Sequence, residues 1–192
     1  MTVGPKQNAL GEARRGIFLD RDGVLIHTNV IGGKPYAIAP PDRAEILDGV
    51  RDACAALSRA GFLLVMVTNQ PDVARGATPR SFVEGVNGFL ARELGLNDVR
   101  VCYHDDTDGC DCRKPKPGLI TQAAAAFAID LPGSIMIGDR WRDIEAGARA
   151  RCRTVLIGDG YGERMPRPPD FSAPSLSEAL PWLLTPLVSE RV

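Results

Sequence analysis

The chain has 192 residues, enough for one ordinary domain rather than two, and 44% of them are hydrophobic, which can fill a sizeable core. Its 23 basic and 24 acidic side chains nearly cancel, so no overall electrostatic footprint for nucleic acid or an anionic membrane is present. No apolar run approaches the roughly 20 residues of a membrane-spanning helix, and the polar stretch Met1 to Gly16 does not read as a secretory signal, so a cytoplasmic location is expected.

Taken in order, Gly16–Leu19 reads as a short buried strand ending at Asp20. From Asp22 to Glu45 there is no clear periodicity, and an irregular stretch that long inside a domain is usually functional. Ile46–Ala60 is expected to be helical, with Val50, Cys54 and Leu57 on one face and Gly61 as its stop. Phe62–Val67 is a continuous apolar run, the mark of a strand covered on both faces. A second helix is predicted over Thr78–Leu94, with Thr78 as N-cap, Pro79 at the first helical position and Gly95 beyond its end. Then come a strand at Val99–Tyr103, a helix from Pro117 to about Ala128, a strand at Ser134–Ile137, a helix at Arg142–Ala150 and a strand at Thr154–Ile157. Residues 163 to 174 are proline-rich and polar and are expected to be irregular, with a short closing helix at Ser177–Leu184. The chain contains no internal repeat.

Strand and helix alternating in this way imply an α/β fold, a parallel sheet with helices on both faces in three layers. A single domain over 1–192 is expected, with its core at about 16–158 and a C-terminal extension at 163–192, as a monomer. Ligands of such sheets bind at the carboxyl ends of the strands. Asp20, Thr68 and Asp139 each follow directly on an apolar strand run, so three strands deliver polar groups to one edge.

Four short patterns carry chemistry. Asp20-Arg21-Asp22-Gly23 sets two carboxylates two residues apart, so one can attack phosphorus while the other protonates a leaving oxygen and later activates water. Like charges this close need a counter-cation, which Mg2+ supplies. Thr68-Asn69-Gln70 offers a hydroxyl for a phosphate oxygen at a strand end. In Arg113-Lys114-Pro115-Lys116, a lysine can neutralise the carboxylate and the transferring phosphoryl group, and Arg113 can grip an anion through two bonds. Gly138-Asp139-Arg140-Trp141-Arg142-Asp143 places Asp139 as a metal ligand, with Asp143 one helical turn on to hold the metal or a water. Taken singly, each also fits something plainer: a turn, a solvated basic loop or a helix cap.

Of the five cysteines, an odd number that argues against a disulfide framework, Cys102, Cys110 and Cys112 crowd around His104. Three thiolates and one imidazole make a full tetrahedral set for structural Zn2+, with no open position for water. The cluster runs straight into Arg113-Lys114, so its expected task is to fix the loop that aims those cations. Cys54 and Cys152 read as small buried hydrophobes. His27 reads as a surface or packed residue, Trp141 as a wall of the site or a packing residue, and Gly158-Asp159-Gly160-Tyr161-Gly162 as a turn.

As an ordered set, Asp20-x-Asp22-Gly23, Thr68, Lys114 and Gly138-Asp139-x-x-x-Asp143 resemble the four motifs of the haloacid dehalogenase-like superfamily over about residues 16 to 158. The resemblance implies a Rossmann-like sheet, Asp20 as nucleophile, Asp22 as general acid and base, and Mg2+ between Asp20, the backbone of Asp22 and Asp139. Superfamily dehalogenases lack the second aspartate, which makes phosphoryl transfer the implied reaction. Together with the cysteine cluster, Thr68 to Gly76 and Gly138 to Gly147 are similar to the D-glycero-D-manno-heptose-1,7-bisphosphate 7-phosphatases. That similarity implies a small-molecule phosphate ester as partner, with Asn69, Gln70, Arg113 and Arg140 on the substrate. No separate cap domain is expected; the loop from about His27 to Pro41 and the zinc loop would form the rim. The five residues between His104 and Cys110 resemble the related histidinol-phosphate phosphatases equally well.

Overall fold

A computed structural model describes residues 14–31, 34–36 and 44–185. Among these, the elements run β1 (Gly16–Leu19), β2 (Asn29–Ile31), β3 (Lys34–Tyr36), α1 (Val50–Arg59), β4 (Leu63–Asn69), α2 (Arg80–Leu94), β5 (Asp98–Cys102), α3 (Gly118–Phe127), β6 (Ile135–Gly138), α4 (Trp141–Arg149), β7 (Arg153–Ile157), β8 (Phe171–Ala173) and α5 (Leu176–Leu184). Six strands form one parallel sheet in the order β5-β4-β1-β6-β7-β8. The α/β architecture is the one expected, with β1 at the centre.

Side chains alternate across a strand, and the core divides accordingly. Ile17, Leu19, Leu64, Met66, Ile135 and Ile137 face one layer with Val50 and Leu57 of α1, Leu90 of α2 and Leu183 of α5. Phe18, Val65, Val67 and Met136 face the other, with Ile120 and Ala123 of α3 and Ala146 of α4. Both faces of the central strands are therefore apolar, which is why Phe62–Val67 carries no polar alternation.

Several boundaries differ from expectation. The first helix starts at Val50, not Ile46, because Gly49 takes a left-handed φ of 73° and Ile46 instead pairs with Ile26 in an isolated bridge. The second starts at Arg80, with Pro79 rather than Thr78 in the capping position and no side-chain cap bond. β4 runs on to Asn69, since Thr68 pairs with Val101 and Asn69 with Cys102. Residues 163 to 174 are not wholly irregular. Phe171–Ala173 adds an edge strand to β7, anchored by the Asp170 carboxylate, which accepts from the backbone N and the hydroxyl of Thr154 at 2.7 and 2.8 Å.

The aperiodic stretch after Asp22 contains a two-stranded antiparallel hairpin, β2 with β3. The remainder of that expected rim, and the N- and C-terminal segments, lie outside the described residues. No helix of the described residues is long and apolar enough to cross a membrane.

Candidate active site

β1, β4 and β6 end side by side, and their ends bring the predicted residues together. The backbone N of Asp20 donates to the carbonyl of Ile137 at 2.9 Å, so the chain is still tied to β6 where Asp20 leaves the sheet. The turn that follows needs Gly23. Its φ is 80°, and a Cβ there would stand 1.9 Å from Asp139 Oδ2. Gly138 has a similar reason: a Cβ would meet Asp143 Cβ at 2.1 Å, so only glycine lets the first turn of α4 close on the strand end.

Lys114 joins the strands. Its ammonium donates to Asp20 Oδ1 at 2.7 Å and to the Val67 carbonyl at 2.9 Å, and pairs with Asp143 Oδ1 at 2.6 Å. Three donors meet three acceptors in a buried place. Asn69 fixes the lysine's backbone, donating to its carbonyl at 3.0 Å and accepting from its N–H at 3.1 Å. Gln70 Nε2 donates to Asp22 Oδ2 at 2.8 Å and to the Thr68 hydroxyl at 2.9 Å, which leaves the Thr68 proton to give. Arg21 grips the Asp22 carboxylate at 3.0–3.2 Å and is itself anchored on Asn87.

Burial pushes the Asp20 carboxyl up to about 7, with repulsion from Asp143 and Asp22 adding to it against the attraction of Lys114. Burial likewise lifts Asp139 to about 8, helped by Asp20 and Asp143. Burial alone would lower the Lys114 ammonium, but Asp143 and Asp20 outweigh it and hold it above its ordinary value. One lysine does not balance this many acids. Oxygens of Asp20, Asp139 and Asp143 all lie within 4.8 Å of one another, and the buried Oδ1 of Asp139 has no hydrogen-bond partner among the described residues. A hard divalent cation with oxygen ligands fits that donor set.

Cys102, His104, Cys110 and Cys112 converge at the same edge, where Cys102 ends β5 beside Asn69. Their ligand atoms stand 3.7 Å (Cys102–Cys110), 3.5 Å (Cys110–Cys112), 3.6 Å (Cys102–His104 Nδ1) and 3.3 Å (Cys112–His104 Nδ1) apart. Tetrahedral zinc with bonds of about 2.3 Å to sulfur and 2.0 Å to nitrogen requires edges of roughly 3.5–3.8 Å. The four residues fit that ion, and all of the chain's cysteines are free thiols. A short 3-10 turn inside the loop, Asp106–Asp108, points acids at the rim. Asp106 accepts from Arg113 at 2.8 Å and from Arg142 at 2.9 Å, while Asp105 accepts from Arg75 at 2.6 and 2.9 Å.

Above Asp20 opens a cavity of about 380 Å³, lined by Asp20, Asp22, Asn69, Gln70 and Lys114 on its floor and by Arg75, Arg113, Arg140 and Arg142 at its rim, with Thr28 beside them. Every residue expected at the phosphate and cation sites borders this cavity except the buried Thr68, which touches Gln70. His27 is exposed and lines a neighbouring cavity instead, and Trp141 stacks under the Arg142 guanidinium at 5.2 Å without bordering the site. The residues that sequence reasoning missed are Tyr161, whose hydroxyl donates to Asp139 Oδ2 at 2.7 Å, Glu163, which pairs with Arg140, and Asp106. Gly158–Gly162 does form a turn, but one that reaches the site. Its glycine–aspartate pattern after a strand was the only signal.

A model of the family described as HAD-hydrolase-like matches residues 111–179. The D-glycero-beta-D-manno-heptose-1,7-bisphosphate 7-phosphatase of Yersinia pestis is 39% identical over 157 residues, which covers 75% of this chain and 80% of that protein. Its counterpart of the same name in Haemophilus influenzae is 37% identical over 158 residues, covering 76% and 83%. Among solved structures, the D,D-heptose 1,7-bisphosphate phosphatase of B. bronchiseptica, complexed with magnesium and phosphate, superposes with a TM-score of 0.77 at 30% identity over 88% of this chain and 98% of that one. These relatives and the assembled strand-end acids agree: the chain belongs to the haloacid dehalogenase-like superfamily, in the heptose-1,7-bisphosphate 7-phosphatase family of phosphoric monoester hydrolases.

Proposed function

We propose that this protein removes the 7-phosphate of D-glycero-β-D-manno-heptose 1,7-bisphosphate by way of a phosphoryl group carried on Asp20. The observation that carries the chemistry is the Asp20 carboxylate on the floor of a cavity rimmed by arginines, 2.7 Å from Lys114. The substrate is taken from the named activity of the relatives, and four rim arginines suit an ester with a second phosphate.

In the first step an Asp20 oxygen attacks phosphorus. A bond forms between them, the bond from phosphorus to the sugar oxygen breaks, and Asp22 gives that oxygen its proton. In the second, Asp22 takes a proton from water as the water oxygen attacks phosphorus, and the Asp20 carboxylate leaves as inorganic phosphate forms. Arg21 and Gln70 aim Asp22, the buried Thr68 hydroxyl holds Gln70 by accepting from it, and Lys114 neutralises charge on Asp20 and on the group in transfer. Asp20, Asp139 and the backbone of Asp22 would hold Mg2+, which supplies charge neutralisation for the carboxylates and the phosphoryl oxygens. Arg113 and Arg140 would receive the rest of the substrate. Asn69 and Gln70 line the cavity while fixing Lys114 and Asp22.

Zn2+ would sit in the Cys102, His104, Cys110 and Cys112 cluster, closed to water, and hold Asp105 and Asp106 where they aim three of the arginines. Reduced thiols of this kind suit the cytoplasm. The test is phosphate release with Mg2+ present, comparing both anomers of the heptose bisphosphate with histidinol phosphate. Preference for the β-anomer supports the reading. Preference for histidinol phosphate would replace the substrate and make the short zinc loop the better guide.

A further inference from the structure

Tyr161 comes from the turn after β7, outside the four motifs, yet its phenol ends on the buried Asp139 carboxylate, donating to Oδ2 at 2.7 Å. The other oxygen of that carboxylate, Oδ1, is buried and unpartnered among the described residues. We propose that Tyr161 is a positioning residue for the cation: it commits Oδ2 of Asp139 to the phenol and so turns Oδ1 to Mg2+. The inference rests on the reading that Asp139 holds the metal.

The backbone is arranged for this contact. Tyr161 has φ 57° and ψ 26°, a left-handed conformation uncommon for an aromatic residue. Strain of this kind persists only where surrounding structure fixes it, and here it does. Gly160 and Gly162 flank the residue with φ of 70° and 66°, and the Asp159 carboxylate accepts from the Tyr161 N–H at 2.9 Å. Two residues on, Glu163 pairs with Arg140 and ties the turn to the start of α4. On the opposite side stands Gly23, where a Cβ would come within 1.9 Å of Asp139 Oδ2 and 3.0 Å of the phenol oxygen. The hydrogen bond is thus wedged between the β7 turn and the backbone that carries Asp20 and Asp22. A carboxylate rotates readily about its last bond, and a single donor on one oxygen removes that freedom.

The Tyr161→Phe variant keeps the ring and deletes only the donor. Calorimetric titration of Mg2+ into the zinc-loaded full chain should show about tenfold weaker binding than wild type, the low end for losing a partner of a metal ligand. In an Asp139→Asn background the same change should have no further effect. Half-maximal turnover should need correspondingly more Mg2+, with the KM for substrate at saturating Mg2+ unchanged. Binding within twofold of wild type, or an equal loss in the Asp139→Asn background, overturns the inference. Native protein supplies a second measurement that needs no Tyr161 variant to fold. With tyrosine labelled at Cζ, the chain's three tyrosines give three resonances, and that of Tyr161 should shift along the Mg2+ saturation curve while that of Tyr103 does not. A Tyr161 signal indifferent to Mg2+ counts against it. Should the wild type hydrolyse phosphate esters with Tyr161→Phe binding Mg2+ normally, the inference fails and the function stands. A wild type that binds no Mg2+ would remove both.

Discussion

The Lys114 ammonium lies 2.7 Å from Asp20 Oδ1, and the same ammonium lies 2.6 Å from Asp143 Oδ1. Asp20 therefore shares its counter-charge, and burial still leaves its carboxyl raised to about 7. A residue so placed serves chemistry at a cost to stability. Asp20→Asn should reduce phosphate release by about a thousandfold or more, as loss of a nucleophile does, while melting temperature and zinc content equal or exceed those of wild type. Retention of substantial turnover would remove Asp20 as the nucleophile.

Lys114 presents the opposite case. Replacing it with methionine leaves Asp20 and Asp143 buried without their shared cation, and removing one partner of a buried pair costs about 3–5 kcal/mol. Denaturant unfolding of Lys114→Met at pH 8 should show a loss of that order, and a smaller one at pH 5, where the raised Asp20 carboxyl holds its proton. An equal loss at both pH values would contradict the charge argument.

The raised acids also set a pH dependence. Asp20 and Asp139 have folded-state values of about 7 and 8, above their ordinary 3.8, so the folded chain binds protons that the unfolded chain releases. Their contribution to stability is complete below about pH 4 and is lost as pH rises through 7 and 8. Mg2+ held by these carboxylates would compete with those protons. The rise in melting temperature on adding Mg2+ should therefore be greater at pH 8 than at pH 5.5, and a rise independent of pH would mean that the cation binds elsewhere.

Zinc should act at a distance. Cys110→Ser removes one of the four residues that would hold Zn2+ and fix the loop bearing Asp105 and Asp106, and with it the placing of Arg75, Arg113 and Arg142. We expect zinc content, melting temperature and turnover to fall together, with KM affected through the arginines. A variant with wild-type zinc content and melting temperature would show that the cluster holds no metal.

The central sheet was legible because apolar runs of strand length alternate with helix-length segments along the chain, the pattern of a parallel sheet covered on both faces. The strand-end acids were legible for the same reason, as Asp20 and Asp139 each interrupt such a run. What escaped depends on side chains meeting across long separations without a period. Asn69 grips the Lys114 backbone across 45 residues. Tyr161 reaches Asp139 only because its own backbone is left-handed between two glycines. β8 is three residues long, and it pairs because Asp170 is fastened to Thr154, a contact no local pattern announces. Ile46 was misplaced in a helix for want of the Gly49 turn.

The most direct measurement is to trap the phosphoryl group on the protein. Wild type mixed with Mg2+ and the β-anomer of the heptose bisphosphate, quenched during turnover and treated with borohydride, should yield a peptide in which Asp20 has been reduced to homoserine. Asp20→Asn, or wild type without substrate, should give none. Reduction at another carboxylate, or turnover with no trapped residue at all, would contradict covalent catalysis by Asp20.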